Sequence, residues 1–399
     1  MTIHDSDTKA IDIPIPRGST KTVAFKPDGC SLVAAGKLGR LYQWKIGRGR
    51  AWEIAPPAEK AKQKSRAAVK GTVYATAVSR DGRWIVTGDS GKKVTVWKTV
   101  TNEISVKVEH TGKGCIYAVD VSSDSMLFAS GSEDRTVRVF KMNSGAKVLP
   151  PLNHNGPVVG VKFSPDSSQI ATATYSYASI RIYDVHSGNN LFDIPVTVTS
   201  KPITPLAWSS DGQHLFVASS ERITSFDTAT SFRSEWPIHN DNIHVSIVTH
   251  GKFIACSANS SVSFWDYTSH EQVGSIIEHA VPVNCTSISH DGRYLACGHD
   301  KEITIHNLGD FLPREYLPVT WVSRIPLIRV SEAVYESWKL GNPADTESIL
   351  SEEIEQFPNP SHYALAVRSL IRAHLRDWEA AFEDAKMVTF SVFGIPMLT

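Results

Sequence analysis

Through residue 308 the chain is written in short runs of alternating apolar and polar positions, broken by Asp-Gly and similar pairs. Residues 154–184 show the unit most clearly. Val159, Val161 and Phe163 alternate with smaller or polar neighbours, Pro165-Asp166 turns the chain, residues 170–173 return, and residues 180–184 run forward again to Tyr183-Asp184. A period of two marks strands with a packed face, and Asp and Gly suit the left-handed backbone of tight hairpins. Matching turns fall at Asp28-Gly29, Asp81-Gly82, Asp124, Asp211-Gly212, His250-Gly251 and Asp291-Gly292.

The third run of each unit closes on Trp44, Trp97, Phe140, Tyr183, Phe226, Trp265 and His306, at intervals of 53, 43, 43, 43, 39 and 41 residues. A period near ~40 residues with three or four strands per unit predicts an all-β, seven-bladed β-propeller over residues 11–308. Outer strands are expected at 104–108, 147–149, 191–194 and 272–276. The last unit ends near Leu308 with no outer strand of its own, and residues 11–16 precede the first unit without a blade. Pairing 11–16 into blade seven would close the ring and remove an open sheet edge. Residues 1–10 read as a flexible N-terminus.

These repeats resemble the WD-repeat family. Trp265-Asp266 keeps the family dipeptide, Tyr183-Asp184 and Phe226-Asp227 relax it, and the likeness spans residues 11–308. The resemblance implies structural roles for His110, His154, His239 and His279, which precede the first strand of a blade. In that family the ring bonds a Ser or Thr of strand two and an Asp of the following turn. Blade three has the set His110, Ser130 and Asp134; blade seven has His279 and Asp300, with Cys297 and His306 in the other two places.

After a Pro-bearing linker at 309–328 the period becomes 3.6, with Val330, Val334 and Trp338 on one stripe and Ile349, Leu350, Ile354 and Phe357 on another. Residues 329–399 therefore read as a small α-helical module. Gly341, Pro358, Arg368, Asp377-Trp378, Ala381 and Asp384 resemble the tetratricopeptide pattern, although Val367 stands where many members carry Asn. Two such repeats are fewer than the ~3 that stand alone. Either they pack on the propeller or a partner, or the array is a shortened version of a longer one. The order, propeller first and helices last, is similar to a family of fungal scaffold proteins.

Lys+Arg and Asp+Glu both number 41, so no net field steers the chain toward nucleic acid or anionic membrane. Five cysteines without a C-x-x-C pair predict reduced thiols, and Met1 to Ala10 lacks a signal-peptide pattern. Cytoplasmic or nuclear placement is expected, with no membrane span.

Candidate chemistry is sparse. Gly88-Asp89-Ser90-Gly91 copies the tetrapeptide around a serine-protease nucleophile but falls in a predicted turn, where these residues are ordinary turn formers. Gly91-Lys92 and Gly112-Lys113 lack the glycine spacing of a phosphate loop. No spacing supports metal ligation or a cofactor. Lys60, Lys62, Lys64, Arg66 and Lys70 form a basic insertion, read either as a solvated loop between blades or as a contact for an acidic partner or a nuclear address.

Aligning the repeats puts Tyr74, Asp89, Tyr117, Glu133, Tyr175, Tyr177, Glu221, His244 and His299 on one rim of the channel. Exposed tyrosines suit protein recognition. The expected function is a non-enzymatic scaffold, with proteins or peptides as partners of the rim and of the helices. Nucleic acid and small-molecule substrates are not expected. Two alternatives are a ubiquitin-ligase substrate receptor, whose usual Arg is replaced by His186 and Thr268, and a propeller hydrolase using Ser90.

Overall fold

Seven antiparallel sheets of four strands each surround a central channel. The computed structural model describes residues 10–15, 19–37, 39–47, 50–53, 71–175, 179–196, 205–219, 222–238 and 245–317, with residues 347, 348, 351 and 368 beyond them. Blade 1 is built of Thr20–Phe25, Ser31–Gly36, Leu41–Gly47 and Arg50–Glu53. The next blades begin at Val73–Val78, Ile116–Val121, Val158–Phe163, Leu206–Trp208 and Val245–His250. These first strands, with Cys285–Ile288 of blade 7, touch one another in sequence order and return to Thr20–Phe25, so the ring is closed.

The repeat is a repeat of register. Leu32, Ile85, Phe128, Ile170, Leu215, Ile254 and Leu295 of the second strands pair with Trp44, Trp97, Phe140, Tyr183, Phe226, Trp265 and His306. All seven second-strand residues are fully buried. Burial is two-sided because each blade packs on both neighbours. Trp97 and Ile85 face Val33 of blade 1, whereas Val86 and Val96 of the same sheet face Ile116 and Phe128 of blade 3. Seven apolar clusters fill the seven blade interfaces among the described residues.

Ile11–Pro14 supplies the fourth strand of blade 7, pairing antiparallel with Glu302–Asn307 through Ile11↔Ile305 and Ile13↔Ile303. Ile13 is 4% exposed and lies in the cluster between blades 7 and 1, beside Trp44 and Ile46. Ile11–Pro14 thus covers the edge that Glu302–Asn307 would otherwise leave open.

Two outer strands depart from expectation. At 147–149 the pairing is an isolated bridge from Lys147 to Phe140, and the strand proper is Leu152–Asn153, after Pro150-Pro151 interrupts the ladder. At 272–276 Gln272 bridges Trp265, Gly274 turns away at φ +69°, and pairing resumes at Ile277–Glu278.

Hairpins between first and second strands share one device. Ser79, Ser122, Ser164, Ser209 and Ser289 each donate to the aspartate two residues on, at 2.5–2.6 Å, and accept a backbone N–H from the returning strand. The loop is closed from both sides by one serine.

Residues 309–317, expected as linker, fold back as two short 3-10 helices, Leu308–Asp310 and Arg314–Tyr316. Leu308 and Leu312 are buried between blades 6 and 7, and the Tyr316 hydroxyl donates to Asp266 at 3.0 Å. The chain divides into two compact units, Met1–Pro318 and Val319–Thr399. In the second unit Glu347, Ser348, Ser351 and Arg368 are helical. Ser351 donates to Glu347 at 2.9 Å. The rest of the predicted helical module lies outside the described residues, as do residues 60–70.

Candidate functional site

The first strands leave an axial cavity of about 580 Å3. Its wall carries few charges, and one buried carboxylate is already engaged: Asp120 accepts from Lys162 Nζ at 2.8 Å and from the Phe163 N–H at 2.8 Å.

Tyr74, which lines this cavity, meets Tyr117. Tyr74 and Tyr117 are the second residues of the first strands of blades 2 and 3, so shared register brings them together. Their rings stand edge to face, 5.4 Å between centroids at 69°, and both are half-buried. Glu133, exposed in the turn after the second strand of blade 3, accepts the Cys115 N–H at 3.0 Å. Burial first, and the Glu133 carboxylate next, push the Tyr117 hydroxyl well above the usual phenol range. Tyr74 is raised by burial, then by Cys115 and Glu133. Both hydroxyls stay protonated donors at neutral pH beside one fixed acceptor.

The loop before blade 3 explains how the pair is held. Gly114 has φ +128°, and a Cβ there would lie 2.5 Å from Glu133 Cβ; one at Gly112 would lie 2.4 Å from Asp134 Cβ. Gly112-Lys113-Gly114 is a close-packing loop, which is why glycines flank the lysine.

The remaining rim candidates separate. Tyr175 is half-buried in the turn after the second strand of blade 4. Asp89 is buried and turned into its own loop, accepting from the N–H groups of Gly91 and Lys93. His299 is buried too, its Nδ1–H donating to the Pro282 carbonyl at 3.1 Å. Neither side chain is at the surface. Tyr177, Glu221 and His244 lie outside the described residues, as does His239. Ser90 Oγ accepts the Thr72 N–H at 3.0 Å, and among the described residues no base is bonded to it.

Blade 3 carries a complete polar network. His110 Nδ1 is 3.0 Å from Asp134 and Nε2 is 2.8 Å from Ser130 Oγ. Since the carboxylate only accepts, Nδ1 holds the proton and Nε2 accepts from Ser130. Burial outweighs the aspartate and lowers the His110 pKa. Arg138, which the sequence reading did not single out, is buried against Thr111 at 2.7 Å and lies 3.8 Å from Asp134. Its only advance signal was an Arg in a strand otherwise buried on both faces.

His154 and His279 do not repeat this network. His154 packs edge to face on Tyr183, and neither ring nitrogen has a hydrogen-bond partner among the described residues. Its blade has no aspartate in Tyr175-Ser176-Tyr177-Ala178, and Thr172 donates to the Arg181 carbonyl instead. In blade 7, Asp300 turns outward, accepting from Ser19 at 2.7 Å and from the buried Asn284 at 3.0 Å. His279 packs instead between His299, tilted at 4.6 Å, and His306, edge to face at 5.0 Å between centroids.

The family profile described as "WD domain, G-beta repeat" matches residues 63–98, 103–141, 147–184 and 270–307. Each match ends one residue past a closing aromatic position, at Trp97, Phe140, Tyr183 and His306. These four matches and the seven four-stranded blades support a WD-repeat propeller. Aspartates of the WD-type dipeptides cap the turn leaving strand three: Asp184, Asp227 and Asp266 each accept backbone N–H groups two and three residues on.

Among curated proteins the chain is similar to Protein LST8 homolog of Drosophila melanogaster, 29% identical over 146 residues, 35% of this chain and 45% of that one. It is also similar to U3 small nucleolar RNA-interacting protein 2 of Mus musculus, 29% identical over 90 residues, 22% and 19% of the two chains. The matched stretches span less than half the length of either relative.

Proposed function

We propose that this WD-repeat propeller is a protein-binding platform without chemistry of its own, and that its partner docks at the mouth formed by Tyr74, Tyr117 and Glu133. The observation that carries this reading is the Tyr74–Tyr117 pair. Two half-buried aromatic rings, each with a protonated hydroxyl, stand beside an exposed carboxylate. Such rings give large contact area at small entropic cost, and the phenols and Glu133 add donors and an acceptor that fix orientation. Tyr175 extends the same rim.

The helical module from residue 329 is assigned a second partner, so that the chain raises the local concentration of one partner near another. Free thiols at all five cysteines suit a reducing compartment, and cytoplasm or nucleus is the assigned setting. A ribonucleoprotein partner is the second reading, favoured by the printed name of the mouse relative. Equal counts of acidic and basic residues weigh against a direct grip on phosphate, so contact through a protein component is favoured.

A photo-crosslinking residue at position 117, compared with one at Met126 on an exposed hairpin turn, tests the assignment in cells. A protein adduct specific to position 117 supports the rim. Adducts at Met126 alone would move the site to the opposite face, and RNase-sensitive adducts at 117 would favour the ribonucleoprotein reading.

A further inference from the structure

We propose that His279, Cys297 and His306 form a zinc-binding site inside blade 7. The three come from the loop before the first strand, from strand two and from strand three, and fold brings them together. One ligand atom from each lies within 4.8 Å of the other two. Edges of a tetrahedral zinc site with these donors are about 3.5 Å, so a rotamer-scale contraction of about 1 Å completes the set.

Two independent observations point to an ion rather than to a hydrogen-bond network. The Nε2 atoms of His279 and His306 are buried and have no hydrogen-bond partner among the described residues. Buried polar atoms are ordinarily satisfied, and two unsatisfied nitrogens around one thiol need an explanation. The second observation is the comparison between blades. Where Cys297 stands, blades 2, 3 and 4 carry Thr87, Ser130 and Thr172; where His306 stands, they carry Trp97, Phe140 and Tyr183. A site for hydroxyl and aromatic groups has become one for a thiol and an imidazole.

Asp300, which would bond the ring as Asp134 bonds His110, is turned toward Ser19 and Asn284 instead. The neighbouring His299 ring lies 4.6 Å from that of His279, and its Nδ1–H donates to Pro282, which leaves Nε2 as the lone-pair nitrogen.

Thiolate with imidazole selects a borderline-soft ion, and a tetrahedral S/N set is zinc chemistry. Each imidazole would offer its Nε2 lone pair to the ion, the atom left without a hydrogen-bond partner among the described residues. Binding then proceeds as Zn2+ plus one thiol giving a zinc-thiolate bond and one released proton. The ion would tie the loop before the first strand to strands two and three of the blade whose outer strand is Ile11–Pro14.

The test uses the full chain, expressed with added zinc, dialysed, and analysed for metal by plasma mass spectrometry. Cobalt exchange then reads the ligands through the thiolate-to-cobalt charge-transfer band. One zinc per chain and that band are expected. Both should be lost in Cys297→Thr and His306→Phe, residues found at these positions in other blades, with a β-sheet circular dichroism spectrum retained. Both should persist in a Cys30→Ser/Cys115→Ser variant. Chelation should lower the melting temperature of the parent and leave that of Cys297→Thr unchanged. A folded parent chain without zinc and without the cobalt band overturns the proposal, and so does equal metal content in Cys297→Thr.

Discussion

The indole N–H of Trp97 donates to the hydroxyl of Thr87 across 3.0 Å, with both residues buried between blades 1 and 2. In the next blade the same two positions hold Phe140 and Ser130, and Ser130 turns to His110 at 2.8 Å. One backbone register therefore supports two polar arrangements. The choice is made by whether the closing aromatic brings its own donor.

Replacing Thr87 by Val keeps the shape and removes the acceptor. The Trp97 indole is left buried and unsatisfied, which costs about 1–3 kcal/mol. Urea unfolding of Thr87→Val against Thr87→Ser reads this, since the serine keeps the oxygen. Equal stability of the two variants would show that the hydrogen bond contributes nothing.

The closing strand predicts a long-range effect from a terminal residue. Ile13→Ala deletes buried methylenes between blades 7 and 1, at a cost of about 2–5 kcal/mol. Removing residues 1–16 also uncovers the edge of Glu302–Asn307, so the melting temperature should fall further and aggregation should rise. Unchanged melting in the truncated chain would mean that ring closure does not depend on this strand.

His154 predicts an acid sensitivity with a definite sign. Burial, with Arg181 adding to it, depresses its pKa from 6.5 to about 4. Below pH 6.5 the unfolded chain takes up a proton that the folded chain refuses until near pH 4, so stability falls as pH falls through that window. The loss is roughly 3 kcal/mol across it. His154→Phe, which keeps an aromatic on Tyr183, should flatten the stability profile between pH 6.5 and 4; a profile as steep as the parent's would place the sensitivity elsewhere.

Much of this fold is legible because its constraints are local. A hairpin needs its aspartate two residues from its serine, as Ser164 and Asp166 show, and a packed sheet needs its aromatic at a fixed register. Outer strands are harder to place, since a ladder interrupted at Pro150-Pro151 or a turn at Gly274 moves the pairing without changing the apolar pattern. The candidate site is legible in part for the same reason. Alignment places Tyr74 and Tyr117 at equivalent strand positions, and they meet. It places Asp89 and His299 at strand ends as well, yet cannot say that Asp89 turns inward to bond its own loop and His299 to bond the Pro282 carbonyl. His279, Cys297 and His306 were grouped by the family resemblance as polar positions of blade seven, but no sequence spacing marked them as metal ligands, because a loop residue and two strands converge only in the folded blade.

Gly114 offers a way to disturb the rim without touching it. Alanine there would be strained at φ +128° and would press on Glu133 at 2.5 Å. Gly114→Ala should shift Glu133, weaken partner binding and cost on the order of 1–3 kcal/mol in stability. Binding and stability equal to the parent's would show that this loop does not position the site.

The most direct test is quantitative affinity capture from cells with the full chain beside a Tyr74→Ala/Tyr117→Ala variant, after matched melting temperatures show that both are folded. The account predicts a defined set of proteins captured by the parent and lost at least tenfold in the variant, with background unchanged. The same proteins at the same abundance on both would contradict it and remove the tyrosine pair from the binding surface.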